Sequence, residues 1–324
     1  MKKLLRLLFL LFITTATSFT LFWYARPADL DFEEFRAAVP HSAVSRFAEL
    51  DSVRVHYQEK GDGPALVLIH GNNSSVYSWK DVFEPLATNF RVIALDLKGF
   101  GFTAKPGGDY RVEAQAALVM RLLDQLGIER ATLCGSSMGG AVALSCAVNY
   151  PGRVESLVLA GSSAFNEGSS GGASLAPAYV RWPYIGAAVT ALALTSSALV
   201  RDGLRKSFYD QGKVTEERVA AYYRPLRTRG GQRAARLVRD QRDYAALEQS
   251  LAQIRQPTLL IWGAQDRLNL LADGKRLHAK MANSQLINYE HCGHLPQEEM
   301  PERFTRDVVE FIRKIDRDQP SHEH

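Results

Sequence analysis

Short runs of aliphatic and β-branched residues alternate with segments of helical periodicity along most of this 324-residue chain. The runs predict eight strands, at residues 46–50, 53–58, 65–69, 91–95, 131–134, 154–159, 258–262 and 285–289. Between them, apolar residues recur every three or four positions, as at Leu118, Leu122 and Leu126, which is typical of helices with one buried face. This alternation indicates an α/β fold, a mostly parallel eight-stranded sheet with helices on both faces. We expect the first run to pair antiparallel with the second at the edge of the sheet.

The alternation is interrupted once, between residues 166 and 255. This stretch has no strand-like run; it begins with a Gly/Ser-rich segment at 167–172, continues with an apolar segment at 184–200 and ends in Arg-rich helical sequence. We predict a helical lid, inserted after the sixth strand over the carboxyl ends of the strands, where ligands bind in such folds. Residues 49–165 and 256–324 would then form the core domain.

The first 26 residues differ in character from the rest. Residues 7–24 carry no charge, and 18 helical residues are just long enough to cross a bilayer core. We predict a membrane anchor over residues 1–26 and a juxtamembrane segment at 27–48, because no small-residue cleavage site follows the apolar run and its aromatic end suits a membrane interface. Basic residues before the run favour a cytoplasmic N-terminus, with the rest of the chain on the extracytoplasmic side, the periplasm in a bacterium. The alternative is a cleaved signal peptide and a secreted protein.

Charge and cysteine content exclude several classes of function. Lys and Arg number 39 and Asp and Glu 35, but four of the cations lie within the first 26 residues, so the remainder is neutral. A neutral body argues against nucleic-acid binding, which needs a surplus of positive charge. Within the lid, 14 Lys or Arg face 8 acids, which fits a solvated surface or attraction to anionic lipid head groups. Three cysteines cannot build a disulfide framework, and no spacing is typical of a metal site.

A glycine-flanked serine follows the fifth predicted strand. Residues 135–139 read Gly-Ser-Ser-Met-Gly and fit G-x-S-x-G, with a helical pattern directly afterwards. A sharp strand-to-helix turn forces strained backbone angles on the serine and requires very small residues two positions before and after it, which Gly135 and Gly139 provide. The turn would expose the Ser137 hydroxyl at a helix N-terminus, where the amide of Met138 can donate to a developing oxyanion. We predict that Ser137 is a nucleophile.

A serine nucleophile needs a base, and the base needs an orienting acid. Asp266 follows the seventh predicted strand and His294 follows the eighth, which matches the chain order of serine, acid and histidine expected for this turn. His291 is a reserve candidate for the base. The loop after the third predicted strand should supply the second oxyanion donor, which we assign to the amide of Asn72, whereas His70 in that loop is expected to be structural.

Together these motifs resemble the α/β-hydrolase family, in particular its lidded, single-domain branch. The matching segments within residues 50–315 are His70 to Asn72, Asp96 to Gly101, Gly135 to Gly139, and Gly293 with His294. The resemblance implies hydrolysis through an acyl-enzyme without a metal or organic cofactor. Ser137 differs from the aspartate nucleophile of members similar to haloalkane dehalogenases and epoxide hydrolases. Hydrolases of carbon-carbon bonds in ring-cleavage products tend to have asparagine before the serine and tryptophan after the histidine, where this chain has Ser136 and Leu295.

The resemblance and the N-terminal segment together indicate a bilayer-anchored serine hydrolase similar to monoacylglycerol-lipase-like esterases. Its substrate would be a small-molecule or lipid ester with a medium acyl chain, and residues 184–200 would line the acyl pocket. Residues 7–24 would hold the protein in the membrane. Two alternatives stay open: a carbon-carbon bond or lactone hydrolase with the same triad, and a non-catalytic binding protein. The sequence leaves the oligomeric state undetermined.

Overall fold

A single eight-stranded sheet organises the chain. The computed structural model describes residues 2–25, 32–166 and 196–318. The strands are β1 Ser45–Leu50, β2 Val53–Lys60, β3 Ala65–Ile69, β4 Arg91–Leu95, β5 Ala131–Ser136, β6 Val154–Ala160, β7 Thr258–Gly263 and β8 Ser284–Tyr289. Their order across the sheet is β1-β2-β4-β3-β5-β6-β7-β8. The β1/β2 and β2/β4 pairs are antiparallel and all other pairs are parallel, which confirms the predicted sheet and its antiparallel edge.

Helices follow most of the strands. The α-helices are α1 Lys2–Ala25, α2 Phe32–Phe35, α3 Lys80–Ala87, α4 Val112–Gln125, α5 Met138–Asn149, α6 Ser197–Ser207, α7 Glu216–Leu226, α8 Gly231–Asp240, α9 Ala245–Ser250, α10 Leu271–Lys280, α11 Pro296–Glu299 and α12 Pro301–Asp318. Short 3-10 helices occupy Arg36–Ala38, Ser42–Val44, Val76–Trp79, Pro151–Arg153, Gln211–Lys213 and Leu251–Gln253. The long strand-to-strand connections are therefore helical crossovers, as a parallel sheet requires.

Two apolar cores cover the two faces of the sheet. Along β3, Val67 and Ile69 belong to one core while Leu66 and Leu68 belong to the other, because successive side chains of a strand point to opposite faces. The predicted apolar stripe of α4 packs into the first core, and apolar residues of α12 such as Phe304, Val308 and Ile312 pack into the second. Since both faces are buried, the central strands are almost wholly apolar.

Strand β5 runs two residues further than the sequence predicted, up to the start of the serine turn. β5 continues through Gly135 and Ser136, because these residues still pair with Leu159 and Ala160 of β6. The parallel ladder overrides the local preference of a Gly-Ser pair for a turn. The turn therefore starts directly at Ser137, at the carboxyl end of the sheet.

The connection between β6 and β7 is mostly helical in the part that the structure describes. It carries α6, α7, α8 and α9, and its residues 167–195 lie outside the described residues, together with the predicted Gly/Ser-rich segment and most of the apolar segment at 184–200. Leu199 and Val200, at the end of that apolar segment, lie in the first turn of α6. We refer to residues 196–255 as the helical insertion.

Helix α1 stands apart from the two apolar cores. Its portion Lys2–Leu21 is long and apolar enough to cross a membrane by length and composition, and none of that portion is buried. An N-terminal signal sequence meets the same criterion. The side chains of the aromatic residues 22–24 lie outside the described residues.

Candidate active site

Ser137 lies on a strained turn between β5 and α5. Its backbone angles are φ 53° and ψ −118°, which side-chain-bearing residues rarely adopt. The turn is held by hydrogen bonds from Ser137 N to Ala160 O at 2.9 Å and from Ser163 N to Ser137 O at 2.9 Å. A Cβ at Gly135 would collide with the carbonyl of Gly139, and one at Gly139 would collide with that of Ile69. The flanking glycines therefore permit the close packing that keeps the serine in this conformation.

Asp266 and His294 form a buried pair, although 28 residues separate them in the chain. His294 Nδ1 lies 2.8 Å from Asp266 Oδ2, and because an ionised carboxylate only accepts, Nδ1 carries the proton. Asp266 Oδ1 accepts from the amides of Leu268 at 2.8 Å and Asn269 at 3.0 Å, which fixes the carboxylate plane. Nε2 of His294 is thereby left as the basic nitrogen of the imidazole.

Ser137 and His294 line one cavity of about 690 Å³. Within the described part of the chain, no hydrogen bond joins the Ser137 hydroxyl to the imidazole; catalytic hydrogen bonds are often formed fully only when substrate is bound. His291, the reserve base, is exposed, and its Nδ1 lies 3.3 Å from the hydroxyl of Tyr209. It is not among the described residues of the cavity wall, so the structure favours His294.

The two predicted oxyanion donors also line this cavity. Neither the Asn72 nor the Met138 amide donates a hydrogen bond within residues 2–25, 32–166 and 196–318. The loop that carries Asn72 runs against the nucleophile, since a Cβ at Gly71 would lie 3.1 Å from Ser137 Cβ. Met138 begins α5, where the helix dipole adds to the attraction for negative charge.

His70 has the structural role that the sequence indicated. Its Nε2 accepts from the amide of Leu97 at 3.0 Å, and its Nδ1 donates to the carbonyl of Gly71 at 2.7 Å. Complete burial lowers the pKa of His70 and so favours this neutral form. The imidazole thus holds the loop of Gly71 and Asn72 against the loop after β4.

Gly161 is a site residue that the sequence did not reveal. It follows β6 with φ 51°, and a Cβ there would lie 2.8 Å from His294 O, 3.2 Å from His294 Nδ1 and 3.3 Å from Asp266 Oδ2. A single glycine between a strand and a Ser-rich loop has no pattern that distinguishes it from an ordinary turn residue. Only the folded chain shows that the Asp266–His294 pair packs against its bare Cα.

Glu299 joins the helical insertion to the loop of His294. Its Oε1 accepts from the amide of Gly293 at 2.7 Å, and its Oε2 accepts from the amides of Tyr209 at 2.8 Å and Asp210 at 3.2 Å. In addition, the amide of His294 donates to the carbonyl of Ser207 at 2.7 Å. The base is therefore held on both sides by residues that follow or end α6.

Glu298 provides a second, charged link to the insertion. Its Oε2 lies 3.0 Å from Nε of the buried Arg218, and its Oε1 accepts from the hydroxyl of Tyr222 at 2.5 Å. Burial raises the pKa of Glu298 to about 7 against the attraction of Arg218. Tyr222 also lines the cavity, so this cluster connects the wall of the site to α11. The Gln-Glu-Glu run in the sequence after His294 was the available indication of this role.

The cysteines are structural residues rather than reactive ones. The three cysteines are buried and free, and burial raises the pKa of each thiol. Among the described residues, no group of three or more histidine, cysteine, aspartate or glutamate side chains is placed to hold a metal ion. The chemistry available at the site is that of a serine, an imidazole, a carboxylate and backbone amides.

Comparison with known proteins identifies the fold and a set of hydrolases. The family model described as alpha/beta hydrolase fold matches residues 64–301. An uncharacterised hydrolase of Bacillus subtilis is 33% identical over 284 residues, which cover 84% of this chain and 98% of that protein. The 2-hydroxy-6-oxo-6-phenylhexa-2,4-dienoate hydrolase of Comamonas testosteroni is 30% identical over 284 residues, covering 84% of this chain and 97% of that protein. The crystal structure of a membrane phospholipase A, described as a bacterial virulence factor, is 25% identical with a TM-score of 0.72 and covers 98% of this chain and 99% of its own.

Proposed function

Because the chain belongs to the alpha/beta hydrolase fold family, we propose that it is a serine hydrolase that cleaves carboxylic esters through an acyl-enzyme. The observation that carries the proposal is that Ser137, on its strained turn, lines the same cavity as His294, whose imidazole is hydrogen-bonded to Asp266. Without a base nearby, a glycine-flanked serine would not be activated as a nucleophile. A base with an oriented proton on Nδ1 makes the hydroxyl a usable nucleophile.

The reaction would proceed in two halves. Ser137 Oγ attacks the ester carbonyl while Nε2 of His294 takes the hydroxyl proton, and Asp266 balances the resulting imidazolium. The amides of Asn72 and Met138 donate to the oxyanion of the tetrahedral intermediate. His294 then gives its proton to the departing alcohol. Water, deprotonated by the same imidazole, attacks the acyl-enzyme and releases the carboxylic acid.

A lipid ester of the monoacylglycerol kind is the substrate class we propose. Aliphatic side chains of the insertion line the cavity beside Ser137, including Leu199, Val200 and Leu204. The similarity to the membrane phospholipase A leaves only 2% of this chain unmatched, which is less than the 24 residues of α1. This similarity supports α1 as a bilayer anchor. The basic residues before the apolar run favour an extracytoplasmic catalytic domain, and the insertion is proposed as a lid. A substrate dissolved in the same bilayer would then reach the cavity without crossing water.

A second candidate is hydrolysis of a carbon-carbon bond. The dienoate hydrolase of Comamonas testosteroni matches 84% of this chain at 30% identity, which favours this reading. Ser136 and Leu295 flank the nucleophile and the base, and both line the cavity. These residues differ from the asparagine and tryptophan typical of that branch, so we place ester hydrolysis first.

The test is the full chain in a neutral detergent with Ser137→Ala. Turnover of p-nitrophenyl esters should fall at least about 10³-fold, as for other triad deletions, and labelling by a fluorophosphonate should disappear. Ser250→Ala, a remote serine whose hydroxyl bonds only its own helix, is the matched control and should retain both. Unchanged turnover in the Ser137 variant would refute the assignment. Faster turnover of a 2-hydroxy-6-oxo-dienoate than of any ester in a chain-length series would favour the second candidate instead.

A further inference from the structure

The cavity that holds Ser137 has a cationic wall. Four basic side chains line it: Lys206, Arg239, Arg242 and Arg267. No aspartate or glutamate is among the described residues of this lining. The segment at 167–195 contains one acid and one base by sequence, so it cannot supply a net negative charge to offset them. A neutral ester carries no negative charge with which these cations could pair.

Two of these cations have no acidic partner among the residues that the structure describes. Lys206 pairs with Asp202 at 2.7 Å, and Arg239 pairs with Asp240 at 2.9 Å. In contrast, neither Arg242 nor Arg267 forms an ion pair with any residue that the structure describes. Both are exposed, so each keeps a hydrated guanidinium that an incoming anion can engage.

Arg242 and Arg267 flank the same small network beside the triad. Arg267 directly follows Asp266, and Asn269 of the same loop donates through Nδ2 to Ser163 Oγ at 3.3 Å. Tyr244, two residues after Arg242, donates through its amide to Asn166 Oδ1 at 2.7 Å. Tyr244, Ser163 and Asn269 line the cavity together with Arg242 and Arg267, so the two arginines reach it from two different elements.

Part of the aliphatic lining forms a cluster of its own. Leu204 and Leu295 pack together with Val200 and Tyr222, and none of the residues around Ser163 belongs to this cluster. Leu295 directly follows the base, so the apolar cluster also lies beside the reacting centre. The cavity therefore combines this apolar cluster with cationic side chains, and Ser137 and His294 line the same cavity. That distribution matches an amphiphile with an acyl chain and an anionic head.

We propose that the substrate is a monoacyl ester whose alcohol carries a phosphate, with the phosphate on Arg242 and Arg267 and the acyl chain on the Leu204–Leu295 cluster. This inference rests on the proposed ester hydrolysis and names its substrate class. Arg242 and Arg267 form no ion pair with a described residue, and the paired cations Lys206 and Arg239 line the same cavity. This positive charge is better balanced by the double negative charge of a phosphate than by the single charge of a carboxylate. The bond cleaved is the acyl carbon to oxygen bond; water adds across it, and the phosphate stays on the released alcohol.

The experiment compares esters that differ only in the head group. The full chain in neutral detergent is given 1-hexanoylglycerol, 1-hexanoylglycerol 3-phosphate and the hexanoyl ester of 3-hydroxypropanoate, each below its micelle concentration so that adsorption to a lipid surface does not contribute. We expect kcat/KM for the phosphate ester to exceed that of the neutral ester at least about tenfold, with a ratio that decreases as salt is added. The carboxylate ester separates a preference for phosphate from a preference for any anion.

Charge reversal at the two arginines tests the assignment directly. Arg242→Glu combined with Arg267→Glu should lower kcat/KM for the phosphate ester about tenfold to a hundredfold more than kcat/KM for the neutral ester. Arg130→Glu, an exposed arginine before β5, is the matched control and should change neither. The double glutamine variant repeats the measurement if charge reversal lowers the amount of folded protein.

Binding separates the failure of this inference from failure of the proposed function. Ser137→Ala should bind the phosphate ester in calorimetry, and the two charge reversals should weaken that binding to the same extent as they lower kcat/KM. If the wild type cleaves none of the three esters, this binding difference still decides the inference. Equal kcat/KM for the neutral and phosphate esters, or equal effects of the double variant on both, would overturn it. A larger response for the carboxylate ester would assign the wall to a carboxylate and also overturn the phosphate assignment.

Discussion

Replacing Gly161 by alanine should impair catalysis far more than it impairs folding. The new Cβ would lie 2.8 Å from the carbonyl oxygen of His294, closer than Cβ atoms approach other heavy atoms, and 3.2 Å from His294 Nδ1. It would also lie 3.3 Å from Asp266 Oδ2, so the methyl group presses on both members of the pair. Because His294 O is backbone, the whole loop of the base must move by several tenths of an ångström.

Two costs follow, and they can be separated. Alanine at φ 51° is strained by roughly 1–2 kcal/mol, which lowers stability wherever it occurs. Displacement of the base from the nucleophile by several tenths of an ångström should in addition lower kcat by about tenfold, since a misplacement of 1 Å can cost about a hundredfold. The second cost is absent at a glycine that has the same backbone conformation but no neighbour.

Gly127 is that glycine. It has φ 65°, follows α4, and a Cβ there would meet nothing within 4 Å. Gly127→Ala should lower the melting temperature by an amount similar to Gly161→Ala, roughly 2–4 °C per kcal/mol, while ester turnover stays at the wild-type level. Turnover in Gly161→Ala that equals that of Gly127→Ala would show that the glycine serves only the turn and would refute the reasoning.

Two further predictions concern the adjacent glutamates. Burial raises the pKa of Glu298 to about 7, so between pH 4.5 and 7 the folded chain holds a proton that the unfolded chain has lost. The free energy of unfolding should fall by about 3 kcal/mol as pH rises through this window. Urea unfolding at pH 5 and 7 measures this difference, and Glu298→Gln should remove it. An unchanged difference in the variant would assign the pH dependence to another group. Glu299→Gln turns an amide NH₂ toward backbone N–H donors beside His294, so kcat should fall about tenfold with KM nearly unchanged. Glu302→Gln, one turn away, is its control, and a loss confined to KM would argue against a role in holding the base.

The parts of the fold that the sequence encodes locally were predictable. The apolar runs of β3 and β4 and the stripes of α4 and α12 identify strands and helices because side-chain periodicity depends only on neighbouring residues. Ser137 was identifiable for a similar reason, since its turn needs small residues at fixed positions on either side. The N-terminal apolar run likewise shows its length and composition directly.

The arrangement of distant residues was decided only by tertiary structure. Several aspartates could have oriented His294, and packing brings Asp266 to 2.8 Å from its ring. Gly161 is important because the Asp266–His294 pair packs against its Cα. Arg242 and Arg267, which form no ion pair with a described residue, come from the insertion and from the loop after β7. Such contacts depend on how helices and strands pack across long sequence separations, and no local spacing or periodicity records them. The candidate catalytic residues could therefore be predicted from the sequence. The residues that position them and line the cavity are brought together only by the folded structure.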